Sequence, residues 1–126
     1  MTKNLRVLLV DDEPTLLKFV SKRLQVEGFE VITAVEGEEA LMKARTLEPD
    51  LIILDLLLPK MSGLDMLERV RNYPEKTIAD TKVIVFTNFS KPEFFNRSRE
   101  LGVNEYLIKN SNDLSSLLEK IRETFG

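Results

Sequence analysis

Asp50-Leu51-Ile52-Ile53-Leu54-Asp55 holds four apolar residues in a row, closed at either end by an aspartate. The run is too short for a helix and shows no polar alternation. It therefore reads as a strand buried on both faces of a parallel sheet. The same reading extends to Leu5–Val10 and Lys82–Thr87, which are almost wholly apolar, and strands are also expected at Glu30–Ala34 and Glu105–Lys109. Between these runs the apolar spacing changes to the helical period. Leu16, Leu17, Val20 and Leu24 form one stripe, opened by Pro14 and closed by Gly28 where a C-terminal cap belongs. Ala40, Leu41, Ala44 and Leu47 form a second, stopped by Pro49. Leu64, Leu67 and Val70 form a third, ended by a turn at Tyr73-Pro74. A fourth helix is expected from Pro92 to Gly102, and a last one carries Leu114, Leu117, Leu118, Ile121 and Phe125.

Five strand–helix units in succession predict an α/β fold. Its sheet is open, parallel, five-stranded and doubly wound, with helices on both faces joined by right-handed crossovers. The 126 residues suit one domain, expected to run over 1–126, and they contain no repeat or low-complexity segment. Hydrophobic residues are 43% and charged residues 31% of the chain, a balance ordinary for a globular protein. No stretch approaches the roughly 18 apolar residues of a membrane span, so a cytoplasmic location without membrane contact is expected. The net charge is −3 with both signs interspersed, which argues against direct nucleic acid binding. The chain has no Cys and no His. Disulfides, thiolate chemistry, the usual zinc sites and an imidazole base are thereby excluded. Carboxylates, hydroxyls, Lys and backbone remain, and such hard oxygen donors suit Mg²⁺ or Ca²⁺.

In an open parallel sheet the ligand sits beyond the carboxyl ends of the strands. Val10 is followed by Asp11 and Asp12, Leu54 by Asp55, Phe86 by Thr87, and Ile108 by Lys109. Four strand ends thus bring three carboxylates, a hydroxyl and an ammonium to one edge. Carboxylates so close repel one another, and a divalent cation relieves them. Mg²⁺ accepts one or two carboxylates plus water and phosphate oxygens. Such a site could hold phosphoryl oxygens and present Asp55 for in-line attack. Taken singly, each residue has a plainer reading. Asp11-Asp12 is equally an N-cap with first-turn charge, and a Thr or Lys closing a strand is usually a solvated end. Only their convergence favours chemistry.

Over nearly its whole length the chain resembles the receiver domain of two-component response regulators. The resemblance rests on residues 7–14, 50–63, 83–87 and 102–109, and most distinctively on the spacing from Asp55 to Pro59 and Gly63. It implies strand order 2-1-3-4-5 and a phosphoacceptor role for Asp55. It further implies Mg²⁺ held by Asp12, Asp55, Asp11 (largely through water) and the backbone carbonyl of Leu57. Thr87 and Lys109 would contact the phosphoryl group, and Thr87 and Tyr106 would form a switch pair. The phosphodonor would be a histidine kinase or histidine phosphotransfer protein, since a chain without His cannot carry phosphohistidine itself. On this reading the chain is no classical enzyme, although it assists its own phosphotransfer and autodephosphorylation. Phe94, Phe95 and Tyr106 would form an output surface for a downstream protein, between the fourth long helix, the fifth strand and the last helix. A monomer or a phosphorylation-dependent dimer is expected.

The sequence departs from the family pattern after the site Lys, where Pro with a cis peptide is usual and Asn110 stands here. The cis form would cost about 3–4 kcal/mol, which favours trans. Leu57 and Phe89, two residues beyond Asp55 and Thr87, could either shield a phosphoryl group from water or simply pack the loops. Three other readings compete. A haloacid-dehalogenase-like phosphatase needs a second Asp where Leu57 stands. A flavodoxin-like flavin carrier needs a hydroxyl- or glycine-rich phosphate loop where Asp11-Asp12-Glu13 stands. A receiver-like interaction module working without phosphorylation would not need the acid cluster.

Overall fold

The computed structural model describes residues 4–110 and 113–126. The elements run β1 (Arg6–Val10), α1 (Pro14–Val26), β2 (Glu30–Ala34), α2 (Gly37–Leu47), β3 (Leu51–Leu54), α3 (Gly63–Arg71), α4 (Lys76–Ala79), β4 (Lys82–Thr87), α5 (Pro92–Glu100), β5 (Glu105–Ile108) and α6 (Leu114–Phe125). All strand pairs are parallel and the order is β2-β1-β3-β4-β5. The side-chain period of two divides the sheet's residues between two cores. Val7, Leu9, Leu51, Ile53, Ile84 and Phe86 pack with α1 and α6. Leu8, Val10, Ile52, Leu54, Val83 and Val85 pack with α2, α3 and α4. This is why β1, β3 and β4 are apolar without alternation, while the edge strands β2 and β5 are mixed.

Two strand bounds are shorter than the sequence suggests. Leu5 lies outside β1, although its carbonyl still accepts the Glu30 N–H at 2.9 Å. Lys109 lies outside β5, although its N–H donates to the Thr87 carbonyl at 2.8 Å. Between α3 and β4 the sequence predicts only the Tyr73-Pro74 turn, whereas the structure adds the short helix α4. Its four residues, Lys76-Thr77-Ile78-Ala79, are too few to display a period, and only Ile78 is buried. Every described peptide bond is trans, including Lys109-Asn110.

The segment from β3 to α3 is tightly fitted. Ser62 caps α3 by accepting the Asp65 N–H at 3.2 Å. The Gly63 N–H donates to the Leu56 carbonyl at 2.9 Å. A Cβ on Gly63 would lie 2.4 Å from the Asp55 carbonyl oxygen and 2.7 Å from Leu56 Cα. Both are backbone atoms and cannot swing aside. Gly63→Ala is therefore expected to cost about 2–3 kcal/mol of unfolding free energy in urea denaturation. A loss under about 0.5 kcal/mol, the range of an ordinary surface change, would contradict this close approach.

Candidate functional site

The carboxyl ends of β1, β3, β4 and β5 meet at one edge of the sheet and bring their terminal side chains into contact. Asp55 follows β3 directly and is 7% exposed. Its Oδ1 accepts from Thr87 Oγ1 at 2.6 Å and from the Leu57 N–H at 3.1 Å. Its Oδ2 accepts from Lys109 Nζ at 2.9 Å. The same ammonium donates to Asp11 Oδ2 at 2.5 Å. Asp11 Oδ1 accepts the Glu13 N–H at 3.0 Å. Asp12 is exposed and has no hydrogen bond or ion pair among the described residues.

The N-cap reading of Asp11-Asp12 fails here. Helix α1 is capped at Glu13 with no side-chain cap bond, and Asp11 instead closes a turn two residues long. Asp11, Asp12 and Asp55 each offer one carboxylate oxygen, and these three atoms lie within 4.8 Å of one another. Three carboxylates against the single Lys109 ammonium leave two negative charges unbalanced. Burial pushes the Asp11 carboxyl above its ordinary value, and its bonds to Lys109 and the Glu13 N–H only partly offset this. Burial works against the Lys109 ammonium too, but the bonds and charges of Asp11 and Asp55 outweigh it and hold the pKa above the usual range. An all-oxygen donor set with two excess negative charges and one solvent-facing member fits a hard divalent cation.

The second group of predicted residues lies beside Thr87. Tyr106 is not bonded to Thr87 itself. Its hydroxyl donates to the Phe89 carbonyl at 2.7 Å, and the Phe89 N–H approaches Thr87 Oγ1 at 3.4 Å. The Phe89 backbone thus joins the two. Burial, and then the charge of Asp55, raises the Tyr106 pKa. The Phe89 ring stacks on Phe94 at 4.7 Å, and Phe95 meets Tyr106 edge-on at 5.6 Å. Phe95 is 44% exposed and Phe94 half-buried. Leu57 points outward at 60% exposure.

The family model for the response regulator receiver domain matches residues 7–122. The chain belongs to that family. Among curated relatives this receiver is similar to the alkaline phosphatase synthesis transcriptional regulatory protein PhoP of Bacillus subtilis. The identity is 38% over 108 residues, covering 84% of this chain and 42% of that protein. It is 33% identical over 117 residues to the DNA-binding dual master transcriptional regulator RpaA of Synechocystis, covering 93% of this chain and 47% of that one. The receiver thus spans less than half the length of these relatives. Among solved structures it is similar to the CheY-like receiver domain protein of Methanospirillum hungatei, with TM-score 0.88 and 31% identity over 97% of this chain and 94% of that one. Receivers are signalling domains that interact with histidine kinases and downstream effectors, and none of these likenesses favours the phosphatase, flavin or phosphorylation-free readings. No helix among the described residues of this receiver is long and apolar enough to cross a membrane.

Some features of the site gave no sequence signal. The Asx-type turn of Asp11 and the Phe89 backbone link depend on main-chain direction. Gly37 is another. A Cβ there would lie 2.7 Å from Met61 Cβ, so α2 can pack on the loop beyond Asp55 only through a glycine.

The raised pKa of Asp11 has a definite consequence for stability. The native state binds this proton more tightly than the unfolded chain does, so the stability Asp11 contributes falls as pH rises from 3.8 through the folded value. In chelator-treated protein Asp11→Asn is expected to raise the urea midpoint at pH 7, with an advantage that narrows toward pH 4. A lower midpoint for Asp11→Asn at pH 7 would contradict the burial argument.

Proposed function

We propose that this receiver accepts a phosphoryl group on Asp55 in a Mg²⁺-dependent reaction and relays the event through Thr87 and Tyr106 to the α5–β5–α6 face. The observation that carries the reading is the contact of Lys109 Nζ with both Asp55 and Asp11 beside a third carboxylate. Asp11, Asp12, Asp55 and the Leu57 backbone carbonyl would hold the Mg²⁺. When bound, it would supply charge neutralisation for the carboxylates and Lewis-acid polarisation of phosphoryl oxygens.

The residues themselves divide the remaining work. An oxygen of the Asp55 carboxylate attacks phosphorus in line, and the bond from phosphorus to the donor breaks with the electron pair leaving on the donor atom. With a phosphohistidine donor that atom is an imidazole nitrogen, and with acetyl phosphate it is an acetate oxygen. Thr87 Oγ1 and Lys109 Nζ now donate to the two Asp55 oxygens. Once an oxygen is esterified its acceptor strength falls, and the new phosphoryl oxygens lie within reach of the same donors. Thr87 and Lys109 would transfer their hydrogen bonds to these oxygens. Movement of Thr87 would act on Phe89, whose backbone Tyr106 also holds.

The phosphodonor is a histidine kinase or histidine phosphotransfer protein, and the output partner is a protein at the face bearing Phe94, Phe95 and Tyr106. The mixed charges of a chain at net −3 support protein rather than nucleic acid as the direct partner of this segment.

Incubation with Mg²⁺ and acetyl phosphate is expected to add the mass of one phosphoryl group. The gain should vanish in Asp55→Ala and in chelator. An unchanged mass, also after exposure to a panel of phosphorylated histidine kinases, would favour a module that signals without phosphorylation. Leu57 is exposed and its backbone N–H bonds Asp55, and Leu57→Asn is expected to shorten the life of the phosphorylated form by placing a polar group two residues from the acceptor. An unchanged autodephosphorylation rate would reduce Leu57 to surface packing.

A further inference from the structure

Helix α5 carries the exposed aromatics, and its two ends are held in different ways. The N-terminal end starts at Pro92 with no side-chain cap on Lys91, and it meets the rest of the protein through aromatic contacts. Phe94 stacks on Phe89, and Phe95 touches Tyr106. Both contacts lead back to Thr87. Ser98, in the last turn, is the one buried residue of the helix, and its hydroxyl has no hydrogen-bond partner among the described residues.

The segment that follows the C-terminal end is bonded by one side chain from another helix. Arg71, the last residue of α3, donates from Nε to the Leu101 carbonyl at 2.6 Å and from Nη2 to the Gly102 carbonyl at 3.2 Å. Its Nη1 donates to the Ala79 carbonyl at 2.8 Å and to the Thr81 carbonyl at 2.7 Å. Two of these oxygens belong to the two residues that follow α5, one to the last residue of α4 and one to the residue that precedes β4. A guanidinium suits them because carbonyls drawn away from water need donors. A planar fork can also reach several acceptors that a single ammonium cannot. Arg71 has no ion pair among the described residues, so its hydrogen-bonding capacity is given to carbonyls. The exposed Arg97–Glu68 pair ties the same half of α5 to α3. Helix α3 is in turn fixed at its other end, where Gly63 abuts the Asp55 backbone.

We propose that Arg71 is a positioning residue that makes the C-terminal end of α5 a fixed pivot. The end bearing Phe94 and Phe95 then turns about it when Thr87 moves. Helix α3, about 13 Å long, is the strut that refers this pivot to the acceptor site. The inference rests on the phosphoacceptor reading of Asp55, since it needs a displacement of Thr87 to act on.

Backbone amide shifts of the whole chain, recorded with Mg²⁺ before and after acetyl phosphate, test it. The phosphorylation-induced changes should be largest over residues 89–95 and fade over 99–103. In Arg71→Gln, phosphorylation of Asp55 should proceed within about twofold of wild type, as for a change remote from the chemistry. Amide exchange over 101–103 should rise by about tenfold or more, and the gradient along α5 should flatten. Arg71→Lys, which keeps the charge but not the fork, should flatten it less and serves if Arg71→Gln does not fold. Equal changes at both ends of α5 in wild type, or a wild-type gradient in Arg71→Gln, overturn the pivot. Failure of wild type to gain phosphate overturns the acceptor reading and this inference with it, while normal phosphorylation without the gradient overturns the pivot alone.

Discussion

Lys109 reaches Asp11 across 98 residues of sequence and Asp55 across 54, and one ammonium satisfies both. That contact depends on the parallel sheet. Each crossover returns the chain to the same direction, so the residues that close β1, β3 and β5 must end at one edge. The cost is a cluster of like charges at the mouth of an apolar core. The structure tolerates it by leaving Asp12 in solvent, spending one cation on the two buried carboxylates, and donating a hydroxyl and a backbone N–H to Asp55. Counted as ionised groups, the site remains short of positive charge by two units, and this excess is the basis for proposing a divalent cation there.

Rigidity is distributed unevenly around this cluster. The β3–α3 loop is fitted through contacts that only glycine permits, at Gly63 against Asp55 and at Gly37 against Met61. Thr87, by contrast, is linked onward through one weak hydrogen bond to Phe89 and through stacked rings to α5. The contacts around Asp55 are therefore close on the side of α3 and sparse on the side of α5. Such asymmetry is what a switch requires, because a ligand shifts an equilibrium only if two arrangements differ in their contacts with it.

Much of this was legible in the sequence, for identifiable reasons. The runs Leu51–Leu54 and Lys82–Thr87 are apolar because both faces are covered, and that same property marks where each ends, placing Asp55 and Thr87 at the edge. Pro14, Gly28 and Gly102 punctuate helices through fixed or positive φ, which sequence displays directly. Other features are carried by main-chain atoms and so have no residue code. Arg71 reads as one more exposed-face arginine of α3, yet it binds four carbonyls drawn from three segments. The Asp11 turn and the Tyr106–Phe89 bond are of the same kind. Helix α4 has no sequence signature because four residues cannot show a period.

The central claim is that the phosphoryl group forms an acyl phosphate on one particular carboxylate among three that crowd together. Borohydride reduction of the phosphorylated protein converts an aspartyl phosphate to homoserine, and peptide mass spectrometry then locates the changed residue. The structure predicts homoserine at position 55 alone, with Asp11 and Asp12 recovered intact. Homoserine at position 11 or 12, or at none of the three in protein that has gained the phosphoryl mass, would contradict it.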